Sequence, residues 1–319
     1  MTNPMNVSVI LCTYNRSESL AKALASIARS RVPESIQWEV LVVDNNSRDA
    51  TRSVIEDFCR RDPSIFRYLF EPRQGKSYAL NAAIQAARGE ILVFTDDDVT
   101  VEPTWLHNLT SSLTKGDWVG TGGKTLPEKS FSAPPWLAGD DHHSLAPLAM
   151  FDLGCEPCEM LGPPWGNNMA YRRDVFEKYG EFRTELGPSS NCVLRGEDTE
   201  FGQRLLSAGE RLRYEPSAVV YHATPNDRIQ KSYFLDWWFD KGRSEIREFG
   251  VPTDTSWFIA GIPFYLFRRF IPWTLVWMFG RNPSQRFFGR RQVWWVAGAI
   301  QECYHQSREP KRIPVPNRS

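Results

Sequence analysis

Ile91-Leu92-Val93-Phe94-Thr95-Asp96-Asp97-Asp98 joins a short apolar run to three adjacent carboxylates. An unbroken apolar run, rather than an alternating one, marks a strand buried on both faces, as in a parallel sheet covered by helices. Three neighbouring carboxylates repel one another unless a cation joins them. Oxygen donors suit Mg2+ or Mn2+, ions that usually share their shell with substrate phosphates. A solvated acidic turn ahead of a helix has the same composition, but the position directly after a buried strand favours a metal.

Residues 7–13 and 38–44 repeat the apolar run, and residues 66–70 read as another strand. Between them, residues 17–29 carry Leu20, Leu24 and Ile27 at helical spacing, and residues 50–59 and the Ala-rich 76–87 read as helices. Such alternation predicts an α/β fold with a mostly parallel sheet flanked by helices. Sheets of this kind bind ligands at the carboxyl ends of their strands. Weight therefore falls on Thr13-Tyr14-Asn15-Arg16 and Asp44-Asn45-Asn46-Ser47 as well as on residues 96–98. Asp44 sits where a ligand would meet it and can accept hydrogen bonds from a base or ribose, while Ser47 or Asp49 can cap the helix that follows.

Residues 124–166 are Pro-rich and irregular, a pattern usual for functional or mobile loops. Residues 173–179 and 197–208 read as helices and 212–222 as a strand. Gly196-Glu197-Asp198-Thr199-Glu200-Phe201 opens one of these helices, where acidic residues also compensate the helix dipole. His222 ends the strand and is either a metal ligand or an ordinary histidine. Gly75-Lys76-Ser77 resembles the end of a phosphate loop, but Phe70 stands where that loop needs its first glycine. A lysine at a helix start still meets a diphosphate as a point charge. No G-x-G-x-x-G fingerprint is present, which argues against a dinucleotide dehydrogenase.

The 319 residues carry no net charge, so the balance predicts no nucleic-acid partner. The charge is uneven, however. From residue 241 onward 13 Lys/Arg face five Asp/Glu, a surplus of +8 matched by −8 before it. Residues 257–280 and 286–300 mix Trp and Phe with arginines. Arg268, Arg269, Pro263 and Pro272 break the first stretch into pieces shorter than the ~20 residues of a spanning helix. Basic residues beside aromatics suit helices lying in a membrane interface; packing on the catalytic domain or an oligomer contact is the other reading. The first apolar run is too short for a secretory leader, so a cytoplasmic protein, peripheral at the inner face of the cell membrane, is expected. Its thiols would be reduced. Cys155 and Cys158 form a C-x-x-C, but no second pair completes a zinc site, and Cys12, Cys59, Cys192 and Cys303 are scattered.

Taken in order, residues 9–16, 42–47, Gly75-Lys76 with Ala79-Leu80-Asn81, 94–98, Gly166-Asn167-Asn168-Met169-Ala170 and 196–201 resemble glycosyltransferase family 2. These are inverting nucleotide-diphospho-sugar transferases with the GT-A fold. The likeness spans roughly residues 5–225, and it is the ordered set that is specific. It implies a transferase domain over 1–225, with a donor half (1–122) and an acceptor half (123–225). A helical basic and aromatic extension (226–307) and a flexible tail (308–319) would follow. It further implies that Thr13, Tyr14, Asn15, Arg16, Asp44 and Asp97 contact the nucleotide sugar, with Lys76 near its diphosphate. Asp96 would bind ribose or metal, and Asp98 and His222 would ligate Mn2+ or Mg2+. Trp165, Asn167, Asn168 and Glu197 would lie on the acceptor side. Apart from the resemblance, the loop over residues 124–166, with Trp136 and Trp165, is expected to shape the acceptor site, since flat aromatics suit sugar faces. Asp198 would be the general base; sequence spacing alone does not choose it over Glu197. A UDP-sugar is the favoured donor, and a glycan or lipid-linked hydroxyl the acceptor. A sugar nucleotidyltransferase and a non-catalytic binding module are the alternatives. The former usually has a Gly-rich loop after its first strand, which residues 13–16 lack.

Overall fold

The computed structural model describes residues 5–114, 116–128, 133–137, 142–188 and 195–308. The chain divides into two compact units, Met1–Ser132 with Gly139–Ile229, and Ala133–Ala138 with Gln230–Ser319.

The first unit opens with alternating strands and helices: β1 (Met5–Thr13), α1 (Ser17–Ile27), β2 (Ile36–Asp44), α2 (Thr51–Arg61), β3 (Phe66–Phe70), α3 (Lys76–Ala86) and β4 (Ile91–Asp96). β1 lies parallel between β2 and β4, and β3 adds to β2. The unbroken apolar runs are explained by burial on both sheet faces. Val9, Leu11, Val40, Val42 and Val93 share one core with Leu20, Leu24 and Ile27 of α1 and Ile55 of α2. Their sequence neighbours Ile10, Leu41, Val43, Leu92 and Phe94 share another with Ala79, Leu80, Ala83 and Ile84 of α3. Each Val, Leu, Ile or Phe among them contributes about 1.5–3 kcal/mol when fully buried.

The unit continues with β5 (Val99–Val101), α4 (Trp105–Thr110), β6 (Trp118–Pro127), β7 (Cys158–Glu159), β8 (Asn168–Arg172), α5 (Asp174–Tyr179), α6 (Glu197–Ser207) and β9 (Arg211–His222). Among the described residues the sheet runs β3-β2-β1-β4-β8-β6-β9-β5, with β7 on β9. β8 runs antiparallel to β4 and β6, and β5 and β7 antiparallel to β9. The other strands share one direction. An aromatic cluster anchors α6: Phe201 stacks on Phe176 with centroids 4.6 Å apart and packs edge-on against Tyr171. Phe201 stands one turn beyond Glu197, so this packing fixes the acidic start of the helix.

The second unit holds α7 (Lys231–Phe249), β10 (Phe258–Ile259), β11 (Ile262–Pro263), α8 (Phe264–Phe279) and α9 (Pro283–Arg308). Ile246, Ile262, Leu266, Val296, Ala299 and Cys303 form a core there. Trp136 belongs to this unit too, edge-on to Phe234 and Phe287 at 5.2 and 4.5 Å, rather than to a loop around the sheet. α8 passes through Pro272, which is exposed, so water can serve the carbonyl that the ring deprives of a donor. Among the described residues no helix is long and apolar enough to cross a membrane. Cys155 and Cys158 are exposed free thiols. Cys192 and residues 309–319 of the expected tail lie outside the described residues.

Candidate functional site

The carboxyl ends of β1, β2 and β4 lie side by side, because Thr13 pairs with Asp44 and Cys12 with Asp96. Pairing of β5 with β9 sets Val99 opposite His222, which carries the histidine to the acidic turn. There His222 Nε2 lies 3.4 Å from Asp98 Oδ1, while the buried Nδ1 has no hydrogen-bond partner among the described residues. Arg16 reaches Asp98 Oδ2 at 3.0 Å and Arg228 approaches the same oxygen at 3.7 Å. Burial opposes ionisation of Asp98, but the hydrogen bond and charge of His222, with Arg16 and Arg228, outweigh it and hold the carboxyl well below the usual range.

Asp97 differs from its neighbours. It is buried, accepts hydrogen bonds from Thr13 Oγ1 at 2.7 Å and from Arg16 at 3.0 Å, and burial pushes its pKa up to about 6 against the pull of Arg16. Thr13 and Asp97 are therefore engaged with each other. Asp96 accepts from Lys76 Nζ at 2.9 Å, and the same ammonium lies 3.4 Å from Glu197 Oε1. Desolvation works against the Lys76 charge, but Asp96, Glu197 and Asp198 together raise its pKa well above the usual value.

Metal-ligating capacity follows from these distances. Neighbouring ligands of an octahedral Mg2+ stand about 3.0 Å apart, close to the separation of His222 Nε2 and Asp98 Oδ1. Those two atoms are spaced so that they would suit a divalent ion, with the rest of its shell left to other oxygen donors. Asp96 lies instead against Lys76 and is not gathered with them. Among the described residues no three His, Cys, Asp or Glu side chains converge in a metal-holding group.

Around this centre the loops are tied to one another. Asp44, also buried, accepts from the Ser47 backbone N–H at 2.8 Å and from the Tyr68 hydroxyl at 3.2 Å. Asp49 accepts from the Thr51 and Ser17 N–H groups. Asn15 has φ 51°, a left-handed conformation that Asn tolerates, and its side chain accepts from Arg48 N–H at 2.7 Å. It thus joins the loops after β1 and β2. Tyr14 is exposed beside it. Asn45, which the sequence marks only as part of its motif and without a role, donates to the carbonyls of Glu71 and Arg73 and accepts from Gly75 N–H. Gly75 has φ 144°, a conformation open to glycine, and leads directly into Lys76.

Asp198 is half-buried; Gly166 N–H donates to its Oδ2 at 2.7 Å and Thr199 N–H to its Oδ1 at 2.8 Å. A Cβ on Gly166 would stand 2.7 Å from that Oδ2, so the contact requires glycine. Trp165 packs on Phe151 with centroids 5.6 Å apart. Asn167 is buried and accepts from Thr125 Oγ1. Two others of the expected acceptor-side residues, Asn168 and Glu197, are buried as well. Asn168 is 1% exposed and donates to Lys124 O and Ala218 O while accepting from Trp105 Nε1, so it is a structural knot between strands. Glu197 is 2% exposed and paired with Lys76. Arg228 and Tyr68 join the site without having been read from the sequence, since neither lies in a motif.

A central sheet flanked by helices, with this site beyond its carboxyl edge, is the GT-A architecture of glycosyltransferases. A family model described as "Glycosyl transferase family 2" matches residues 8–180, more than half of the chain, and the chain belongs to that family. Among similar proteins, the succinoglycan biosynthesis protein ExoM of Rhizobium meliloti is 28% identical, over 76% of this chain and 75% of its own. The glucosyl-dolichyl phosphate glucuronosyltransferase of Haloferax volcanii is 29% identical, over 68% and 69%. The mannosyltransferase PcManGT from Pyrobaculum calidifontis, solved with GDP-Man and Mn2+, shares the fold. Its TM-score is 0.64 at 20% identity, over 94% of this chain and 87% of its own.

Proposed function

We propose that this glycosyltransferase moves a sugar from a nucleoside-diphosphate sugar, with UDP-sugars the first to test, to a hydroxyl of a glycan or lipid-linked acceptor, inverting the anomeric centre. The observation that supports it most is the pairing of Asp98 with His222 at the strand ends, flanked by Arg16 and Arg228. Two relatives, a succinoglycan biosynthesis protein and a glucosyl-dolichyl phosphate glucuronosyltransferase, favour a polysaccharide precursor or lipid-linked acceptor.

In this reading Asp98 and His222 would hold Mn2+ or Mg2+, which would supply positive charge to a nucleoside-diphosphate leaving group. Donor binding frees Arg16 and Arg228 from Asp98 to meet phosphate oxygens, and Lys76 adds a further cation at the start of α3. Tyr14 offers an exposed ring to the base, and Asp44 a carboxylate to the base or ribose. Asp198, held by two backbone N–H groups, takes the acceptor hydroxyl's proton. Glu197 is the weaker choice for that role because it is buried against Lys76.

A thermal-shift screen of nucleoside diphosphates, with and without Mn2+, tests the donor site. A ligand at 100 times its Kd adds about 2.7 kcal/mol of stability. Stabilisation by one diphosphate, only when Mn2+ is present, is expected. Equal stabilisation with a chelator present would remove Asp98 and His222 from metal binding.

A further inference from the structure

Residues 255–301 contain six arginines and no Asp, Glu or Lys; Arg268, Arg269, Arg281 and Arg286 are exposed, whereas Arg290 is half-buried and Arg291 buried. Within that stretch α8 carries one exposed stripe: Phe264, Arg268, Ile271, Leu275 and Met278 recur at helical spacing. Ile271 is 65% and Met278 61% exposed, and Phe279 extends the stripe at 73%. The adjoining β10–β11 hairpin presents Trp257 at 74% exposure together with Phe258 and Ile259. An apolar surface this continuous is rare on a protein that meets only water. Two hollows of about 650 and 590 Å3 open beside it and share Tyr265 and Arg268. Trp257 and Phe264 line one of them, with Asp254 its lone acid, and Arg269 and Trp273 line the other.

We propose that this surface docks on an anionic bilayer, with α8 lying in the plane of the interface and a lipid phosphate seated in the hollow beside Arg268. Charge selects this occupant. A symmetric contact between two copies sets the same patch against itself, and here it would oppose arginine to arginine. Anionic headgroups complement those arginines, while the stripe inserts its apolar side chains. Arg268 sits on the stripe, and its long stem keeps the guanidinium at headgroup depth. This rests on the transferase assignment only for its purpose, which is to bring the enzyme to the surface that carries a lipid-linked acceptor. Docking itself needs neither donor nor metal.

The test is flotation of the full chain with phosphatidylcholine vesicles, with and without phosphatidylglycerol, at low and high salt. The chain is expected to float with phosphatidylglycerol vesicles and to be largely released by salt. Arg268→Gln should lower partitioning roughly fivefold. A double variant, Ile271→Ser with Leu275→Ser, should lower it further. Both sites are exposed, so the melting temperature should hold. Binding indifferent to lipid charge, or variants that float like the parent, would overturn the proposal. So would a dimer in solution that the double variant dissolves while vesicles bind neither form. Thermal shift with a nucleoside diphosphate on the same variants reads the donor site separately, so failure of docking and failure of the transferase assignment are distinguishable.

Discussion

Glu197 and Asp198 carry the same charge on consecutive residues and live in different surroundings. Glu197 is buried against Lys76, while Asp198 is half-buried and held by Gly166 and Thr199 N–H groups. Asp198→Asn should therefore lower transfer by about 10²–10⁴-fold, the usual worth of a general base. The diphosphate-induced shift in melting temperature should stay unchanged. An Asn offers one acceptor where two N–H groups point, so about 1 kcal/mol of stability should also be lost. Turnover near that of the parent would take Asp198 out of the base role. Sequence spacing does not separate the two acids, since consecutive helical residues merely point in different directions. The difference arises from the approach of α3 to α6, a tertiary contact. Asn168 escaped for the same reason: its three partners, Trp105, Lys124 and Ala218, lie far apart in the chain.

Among the elements, those driven by burial were legible and those driven by close approach were not. β1, β2 and β4 announce themselves by apolar runs that both sheet faces demand. β6 does not, because Gly123 in it leaves no room for a side chain. A Cβ there would stand 2.3 Å from Ala218 O and from the Asn168 amide nitrogen. β5 has three residues, too few for a pattern, yet it sets His222 beside Asp98. The link between β2 and α3 was equally hidden. Asn45 binds the Glu71 and Arg73 carbonyls and the Gly75 N–H, and so fixes where Lys76 begins its helix. Asn45→Ala should cost about 1–3 kcal/mol by leaving buried backbone groups unpaired. Donor KM should rise more than kcat falls, because Lys76 is loosened rather than lost. Steady-state kinetics at varied donor concentration checks this; an unchanged KM would mean that the loop holds without its clamp.

For the whole molecule, a zero net charge hides local dependence on pH. Glu39 of β2 is buried; it accepts from Ser8 of β1, from the Arg88 N–H ahead of β4, and from Arg67 of β3. Burial opposes its ionisation, but the Arg67 and Ser8 hydrogen bonds outweigh that and lower its pKa. A depressed folded-state pKa means that this stabilisation is complete above the unfolded value near 4.5 and is lost as pH falls through the folded one. Glu39→Gln should thus cost about 1–3 kcal/mol at pH 7, with the deficit shrinking below pH 4.5. Urea unfolding at both pH values measures it, and a deficit independent of pH would assign the loss to packing. The same sheet has a consequence for how the chain is made. β9 leaves the ribosome last among its strands, yet it lies between β6 and β5. Until residue 222 emerges, both neighbours present unpaired edges that invite aggregation, and Asp98 waits without His222. Assembly of the Asp98–His222 pair therefore coincides with closure of the sheet, so a nascent chain halted before β9 is at once sticky and without that pair.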